Sequence, residues 1–555
     1  MTAPVPTGPD LRERAQAWLA EDPDEQTRAE LQGLLDAGTA EAAAELADRF
    51  SGTLEFGTAG LRGALGAGPN RMNRVVVLRA AAGLAAYLRD HSSDAGAAGP
   101  VVIGYDARHN SEVFARDTAT VMTGAGFDAL VMPRPLPTPL LAFAIRELGC
   151  CAGVMVTASH NPPQDNGYKV YLGDGSQIVP PAGAEIAARI AAVGRLASIP
   201  RGSDGKVLGE QIVERYLDTA AALVADGPRD LSIVYTPLHG VGGDLVHEAL
   251  AYAGFPAPTI ERSQAAPDPD FPTVAFPNPE EPGAMDRAMA LADKLGADLV
   301  VANDPDADRC AAAVPTPVGW RMLRGDEVGA LLAHHLLRKG RRGTYAASIV
   351  SSTLLSKLAA AAGQPYVETL TGFKWIGRVP GLAYGYEEAL GYCCDPEHVR
   401  DKDGVSALLL LCELAAEQKA KGSSLTALLD ELAVEHGLHA TDQLSVRVDD
   451  VALITRAMER LRTSPPATLG GLAVERVDDL ARGTDGLPPT EGLRYTLAGG
   501  ARVVCRPSGT EPKLKCYLEV VVPVAGGLPT VSAARASAAQ WLEAIKADVR
   551  AALGL

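Results

Sequence analysis

Over residues 10–50, Leu11, Ala15 and Leu19, and then Leu31, Leu34 and Leu35, recur at helical spacing with charged residues between them, which predicts helices. The glycine-rich stretch Phe56-Gly57-Thr58-Ala59-Gly60-Leu61-Arg62-Gly63 breaks this pattern, and a helical period returns over 75–89. From there one arrangement repeats in kind: a short apolar run, a polar loop, then a helix. Residues 101–105 end in Asp106-Ala107-Arg108, 152–156 in Thr157-Ala158-Ser159-His160-Asn161-Pro162, and 231–235 in Thr236-Pro237-Leu238-His239-Gly240. Residues 299–302 end in Asn303-Asp304-Pro305-Asp306-Ala307-Asp308-Arg309, and 345–350 in Ser351-Ser352-Thr353. Strands alternating with helices predict α/β units with largely parallel strands. Apolar runs without alternation fit sheets buried on both faces, and ligands of such sheets sit beyond the carboxyl ends of the strands, where these loops lie.

The last hundred residues differ. Runs at 502–506 and 514–522 flank Pro507-Ser508-Gly509-Thr510-Glu511-Pro512 and predict two strands with a connecting turn, and 533–553 read as a helix. This is the pattern of a smaller α+β domain. Candidate boundaries fall near 205, 318 and 438, giving expected domains 1–205, 206–318, 319–438 and 439–555.

A chain of 555 residues, 47% hydrophobic and 21% charged, is ordinary globular material for several cores. Its formal net charge of −17, without a Lys/Arg block, disfavours nucleic acid and anionic membrane surfaces as partners. An anionic substrate would need locally concentrated Arg, Lys and backbone N–H groups. The eight cysteines include no C-x-x-C spacing, so zinc is not indicated, and a reducing compartment, the cytoplasm, is the simpler expectation. The first sixteen residues are polar, without the apolar core of a signal peptide, and no apolar stretch is long enough to span a bilayer.

Against that background several stretches are candidates for chemistry. Ser159 sits in a tight loop after an apolar strand, beside His160 and ahead of Pro162. A serine needs a base, a metal or dipoles to act as a nucleophile, and Ser, Asn and Pro are also common turn residues. Asp304, Asp306 and Asp308 alternate along a loop. Side chains at i, i+2 and i+4 of an extended segment share one side, and three carboxylates there call for a hard cation such as Mg²⁺; the plain alternative is a solvated acidic turn. Arg309 follows directly and can meet a phosphate. Arg506-Pro507-Ser508-Gly509-Thr510-Glu511-Pro512-Lys513 has the composition of an anion cradle, or of a hairpin loop. Arg62, Lys169 and Lys402 are single basic residues in or near loops, and Glu387 and Glu388 are a pair suited to sugar hydroxyls or acid–base work, or to a solvated surface.

Taken together and in chain order (the Ser159 loop, the Asp304 loop, the Glu387 loop and the Arg506 loop), from about Phe56 to Cys516, these stretches resemble the α-D-phosphohexomutase superfamily. Gln164-Asp165-Asn166-Gly167-Tyr168-Lys169-Val170-Tyr171, Phe276-Pro277-Asn278-Pro279-Glu280-Glu281, Thr371-Gly372-Phe373-Lys374-Trp375 and the stretch 401–405 are similar to its phosphoglucomutase-2/phosphopentomutase-like branch. The resemblance implies four domains around a central cleft: three α/β domains with mixed sheets and a smaller C-terminal α+β domain. The first would carry the N-terminal helices and the phosphoserine, the second the metal, the third sugar specificity and the fourth the phosphate site.

By position, the resemblance implies that Ser159 is the phosphoserine and a metal ligand, that Asp304, Asp306 and Asp308 hold Mg²⁺, and that Arg62, His160 and Lys169 serve acid–base or charge roles. It implies substrate contacts from Arg309, Thr371, Gly372, Glu387 and Lys402, and a grip on the non-reacting phosphate by Arg506, Ser508, Gly509, Thr510 and Lys513. The implied reaction is glucose 1-phosphate to glucose 6-phosphate through a bisphosphate, with glucose 1,6-bisphosphate as activator; pentose and mannose phosphates are the alternatives. Ala389 stands where many phosphoglucomutases have serine, which removes one hydroxyl from the sugar loop. Sugar phosphates are the expected partners, with a monomer or homodimer. A phosphatase or aspartyl-phosphate mutase using Asp304, and a silent sugar-phosphate-binding protein, are the rival readings.

Overall fold

The computed structural model describes residues 9–57, 60–91, 99–448, 450–484, 486–508 and 513–554. The chain forms two compact units, one of residues 1–322 and 391–413, the other of 323–390 and 414–555.

The first unit opens with helices Pro9–Glu21, Glu25–Ala37 and Ala40–Arg49. Asp24 and Thr39 cap the second and third by accepting the N–H of Gln26 and Ala42. Leu11, Ala15, Leu31, Leu35 and Leu46 pack with Phe50 and Ala67 into a small core of their own.

The larger core of this unit lies on a mixed sheet. Val101–Tyr105 pairs in parallel with Ala129–Val131 and Ala152–Val156. The run after Ser159 departs from the predicted strand–loop–helix order: Asp165–Leu172 is a strand, antiparallel to Ala152–Val156. Its residues alternate with a period of two. Tyr168 and Val170 enter the core and Lys169 turns to the opposite face. Leu61–Ala64 then pairs antiparallel with this strand, setting Arg62 opposite Gly167. A second sheet pairs Ile233–Thr236 in parallel with Leu299–Ala302, and again a strand, Ala311–Thr316, rather than a helix returns after the polar loop. Both loops that carry chemistry are thus the tips of antiparallel connections. A short run rich in Val, Tyr or Ala with no 3.6-residue period has no amphipathic face to lay on a sheet and joins the sheet instead.

In the second unit Thr344–Ser348 runs parallel to both Tyr366–Thr369 and Leu382–Glu387. The C-terminal region is an antiparallel six-stranded sheet backed by Val451–Thr463 and Val531–Leu553. The predicted strands 502–506 and 514–522 form as Arg502–Pro507 and Lys513–Val522, antiparallel, with Arg506 opposite Lys515.

No helix among the described residues is long and apolar enough to cross a membrane. All eight cysteines are buried free thiols.

Candidate active site

Ser159 lies beyond the carboxyl end of Ala152–Val156 in a left-handed conformation, φ 51°. A serine pays about 1 kcal/mol or more for this, so the loop must be held from outside. Thr157 Oγ1 accepts the Ser159 N–H at 2.9 Å, and the Arg108 guanidinium donates to the Ser159 carbonyl at 2.6 Å. The buried Ser159 hydroxyl donates to Asp304 Oδ2 at 2.9 Å and lies 3.2 Å from His160 Nδ1.

Asp304, Asp306 and Asp308 are fully buried at the end of Leu299–Ala302, and one oxygen from each lies within 4.8 Å of the others. The intervening Ala307 is left-handed, φ 51°, so the three carboxylates converge through a turn rather than an extended segment. Asn303 ties the loop: Tyr235 donates to its Oδ1 at 2.9 Å, and its Nδ2 donates to the Arg309 carbonyl. Thr138, at the start of helix Thr138–Glu147, donates its hydroxyl to Asp306 Oδ2 at 2.6 Å.

Two lysines balance part of this charge. Lys169 Nζ lies 2.7 Å from Asp306 Oδ2 and 3.0 Å from Asp308 Oδ2; Lys402 Nζ lies 3.2 Å from Asp308 Oδ2 and 3.3 Å from Asp401 Oδ1. Arg309 Nε is 3.7 Å from Asp304 Oδ2 and 3.8 Å from Asp308 Oδ1. Burial and the neighbouring Asp306 and Asp308 push the Asp304 carboxyl well up. For Asp308, burial is more than offset by Lys169, Lys402 and Arg309, which hold it down; for Asp306, burial and Asp308 are offset by Lys169 and Thr138. Burial would discharge Lys169, but Asp306 and Asp308 keep its ammonium charged. Oδ1 of Asp306 and Oδ1 of Asp308 are buried and accept no hydrogen bond. Hard oxygen donors with unspent lone pairs, converging from three carboxylates, fit a divalent cation of the Mg²⁺ kind.

Arg62 completes this group, its guanidinium 3.2 Å from Asn161 Oδ1 and within the field of Asp306, Arg309 and Arg108. The first unit therefore gathers Arg62, Ser159, His160, Lys169, the three aspartates, Arg309 and Lys402. Lys402, expected to contact substrate, lies against Asp308.

The second unit holds the remaining candidates. Glu387 ends the strand Leu382–Glu387. Its neighbour Glu388 is anchored: Ser348 and Ser351 each donate a hydroxyl to its Oε2 at 3.1 Å. Thr371 and Gly372 precede the single helical turn Phe373–Ile376, and Gly372 has φ 105°, which only glycine adopts without strain. Burial lowers Lys374 in that turn to about 8. Arg506, Glu387 and Glu388 all act electrostatically on the buried Tyr517 hydroxyl, and the Ser508 N–H donates to the Lys513 carbonyl at 2.8 Å. Gly509 and Thr510 lie outside the described residues.

Sequence reading missed Arg108 and Thr138. Asp106 and Arg108, two residues apart at the end of a buried strand, were the available signal; Thr138 had none.

The family models for phosphoglucomutase/phosphomannomutase α/β/α domains I, II and III match residues 53–196, 214–319 and 324–434, and the model for the C-terminal domain of the same enzymes matches 445–525. A Haemophilus influenzae protein named "Probable phosphomannomutase" is 47% identical over 81% of this chain and 93% of its own length. The human protein named phosphopentomutase is 35% identical over 92% of each chain. The crystal structure of a phosphoglucomutase/phosphomannomutase family protein from Burkholderia thailandensis superposes with a TM-score of 0.69 at 20% identity, over 90% of this chain and 97% of that one, a likeness that shows the fold.

Fold, acidic loop and relatives together define a phosphosugar mutase, an enzyme that transfers a phosphoryl group within its substrate. With all four domains matched, the chain belongs to the phosphoglucomutase/phosphomannomutase family of the α-D-phosphohexomutase superfamily.

Proposed function

We propose that the chain interconverts the 1-phosphate and the terminal phosphate of an aldose through phospho-Ser159, with glucose 1-phosphate and glucose 6-phosphate as the leading pair. The observation that carries this reading is the buried Ser159 hydroxyl against Asp304 in a three-carboxylate cluster. In the first half-reaction the bond between phosphorus and Ser159 Oγ breaks as phosphorus bonds to a free sugar hydroxyl oxygen, whose proton leaves. In the second, Ser159 Oγ takes the phosphoryl group from the other end of the sugar bisphosphate, and the sugar oxygen released there is protonated.

Such transfer needs positioning and charge stabilisation more than covalent help. Lys169, kept cationic by Asp306 and Asp308, and Arg309 supply fixed positive charge beside the serine. Asp304, Asp306, Asp308 and the serine phosphate would hold Mg²⁺, which when bound withdraws charge from a phosphoryl oxygen. Arg62 and His160 would hold or move a proton, a role supported by their contacts with Asn161 Oδ1 and Ser159 Oγ. Lys402 steadies Asp308 and acts on substrate through that loop.

In the second unit Glu387 would accept sugar hydroxyls, with Thr371 and Gly372 shaping specificity. Arg506, Ser508, Gly509, Thr510 and Lys513 would hold the non-reacting phosphate. Glucose 1,6-bisphosphate would prime the serine, and the eight reduced, buried thiols suit a cytoplasmic enzyme.

A second reading, ribose or deoxyribose 1-phosphate as the better substrate, is supported by the human relative named phosphopentomutase and by Ala389, which removes one hydroxyl donor from the sugar loop. The test is turnover of glucose, ribose and mannose 1-phosphates with Mg²⁺ and a trace of the cognate bisphosphate, with Ser159→Ala as control. Turnover abolished in Ser159→Ala supports the phosphoserine mutase, and the order of kcat/KM names the sugar. Full turnover in Ser159→Ala overturns it.

A further inference from the structure

Arg108 has a density of contacts that a surface-loop arginine does not need. Its side chain is buried, 1% exposed, at the end of Val101–Tyr105. Nη1 donates to the Pro162 carbonyl at 2.9 Å and the Asp165 carbonyl at 3.1 Å; Nη2 donates to the Ser159 and Asn161 carbonyls, each at 2.6 Å. Four acceptors from one seven-residue stretch therefore converge on one guanidinium.

Asp106 aims it. Asp106 Oδ2 lies 3.3 Å from Arg108 Nε, while Asp106 Oδ1 accepts the Arg108 N–H at 3.0 Å and the Ser111 hydroxyl at 2.6 Å. The Phe271 ring packs on the guanidinium, 4.8 Å from centroid to Cζ.

We propose that Arg108 is the positioning residue of the nucleophile: its planar fork of donors holds the loop 159–165 in the one shape that turns Ser159 Oγ toward the phosphoryl group. This rests on the reading of Ser159 as the phosphoserine.

The terminal nitrogens have four N–H groups, matching the four carbonyls, so none is left for substrate; Arg108 acts through the backbone. By holding the Ser159 carbonyl it also fixes the plane of the Ser159–His160 peptide, and with it the opposite direction of the His160 N–H. A lysine offers three donors from one point and cannot span four carbonyls in a plane. Thr157 Oγ1 holds the Ser159 N–H, and turn bonds run from the Asn161 N–H to the Ala158 carbonyl and from the Asp165 N–H to the Pro162 carbonyl; Arg108 adds a tie from four of the loop's carbonyls to the end of Val101–Tyr105.

The experiment uses the full-length chain. Ser159 is labelled from ³²P-labelled glucose 1,6-bisphosphate, kcat and KM are measured with glucose 1-phosphate, and folding is followed by thermal midpoint. If the unaltered protein is not labelled at Ser159, the phosphoserine reading fails, whatever Arg108 does. If it is labelled, Arg108→Lys and Arg108→Ala should each cut labelling rate and kcat by about 100-fold with KM changed less than about threefold. Guanidinium ion at tens of millimolar should return at least about tenfold of the Arg108→Ala rate, and methylammonium should not, because only the planar ion reproduces the fork.

Arg108→Lys labelled at the unaltered rate overturns the proposal, as does folded Arg108→Ala that guanidinium fails to rescue. Hydrogen exchange on the unaltered protein needs no variant: slow exchange of the Asn161 and Asp165 amides is expected, and exchange at the rate of an open loop overturns the proposal even if both variants fail to fold.

Discussion

The Ser159 hydroxyl donates to Asp304 Oδ2 at 2.9 Å across a sequence separation of 145 residues. The serine loop of one α/β domain and the acidic loop of the next are therefore in contact within one compact unit, and this juxtaposition sets what the site can do. Burial and its two neighbouring carboxylates push Asp304 up, while Lys169 holds Asp306 and Asp308 down.

The unspent oxygens of Asp306 and Asp308 make divalent-cation binding the first property to check. Asp306→Ala removes one metal donor, one of the two carboxylates that Lys169 meets, and the acceptor of Thr138. Calorimetric titration with Mg²⁺ should show binding weakened by about 100-fold or lost, and mutase activity should go with it. Unchanged Mg²⁺ affinity would remove the acidic loop as the metal site.

Lys169→Met should destabilise the chain in the presence of a chelator by about 3–5 kcal/mol, because Asp306 and Asp308 lose a buried counter-charge. Adding Mg²⁺ should raise the melting temperature of this variant more than that of the unaltered protein, since the cation then replaces the missing ammonium. Equal rises in the two proteins would show that lysine and cation do not share the same carboxylates.

Gly404 lies directly under the acidic loop: a Cβ built there would stand 2.3 Å from the Arg309 carbonyl and 2.7 Å from the Ala307 carbonyl. Both neighbours are backbone, so Gly404→Ala must move the loop rather than a flexible side chain. A stability loss of about 1–3 kcal/mol is expected, with weaker Mg²⁺ binding at an intact Ser159 and Asp304. Normal Mg²⁺ affinity with normal stability would count against that packing.

In the second unit Glu519 accepts from Arg502 Nε at 2.8 Å, Ser352 Oγ at 2.6 Å and the Thr353 N–H at 2.8 Å, with His439 Nδ1 at 3.1 Å. Burial raises its pKa, but Arg502 and His439 more than offset this and hold it at about 2, below its usual 4.5. A depressed carboxylate contributes stability that is present above pH 4.5 and is lost as pH falls from there toward 2, roughly 3 kcal/mol in all. Glu519→Gln should be less stable at neutral pH and should lose most of that slope between pH 4.5 and 2 in thermal unfolding. An acid limb as steep as before would place the titration elsewhere.

Much of the site was legible as separate pieces. The strand ends, the Ser159 loop, the three alternating aspartates and the Arg506 loop stood out because each is a local departure from apolar periodicity, with residue types suited to anions or hard cations. Asp106-Ala107-Arg108 was visible in the same way, but it read as an ordinary polar loop, because the four carbonyls that Arg108 holds belong to residues 159–165. The strand Asp165–Leu172 was misread as part of a strand–loop–helix unit, since its period of two gains meaning only once Tyr168 and Val170 have a core to enter.

The sequence by itself determined the strands that end in polar loops, the chemistry available at each loop, and a family likeness. Periodicity and residue type are local quantities, readable within a dozen positions. Tertiary structure alone decided which of those groups meet: Lys402 with Asp308, Thr138 with Asp306, Ser159 with Asp304, Arg108 with the carbonyls around it. Those meetings depend on strand register and on the packing of elements 51 to 168 residues apart. A one-residue slip in Asp165–Leu172 would turn Lys169 into the core and leave the two aspartates without their counter-charge.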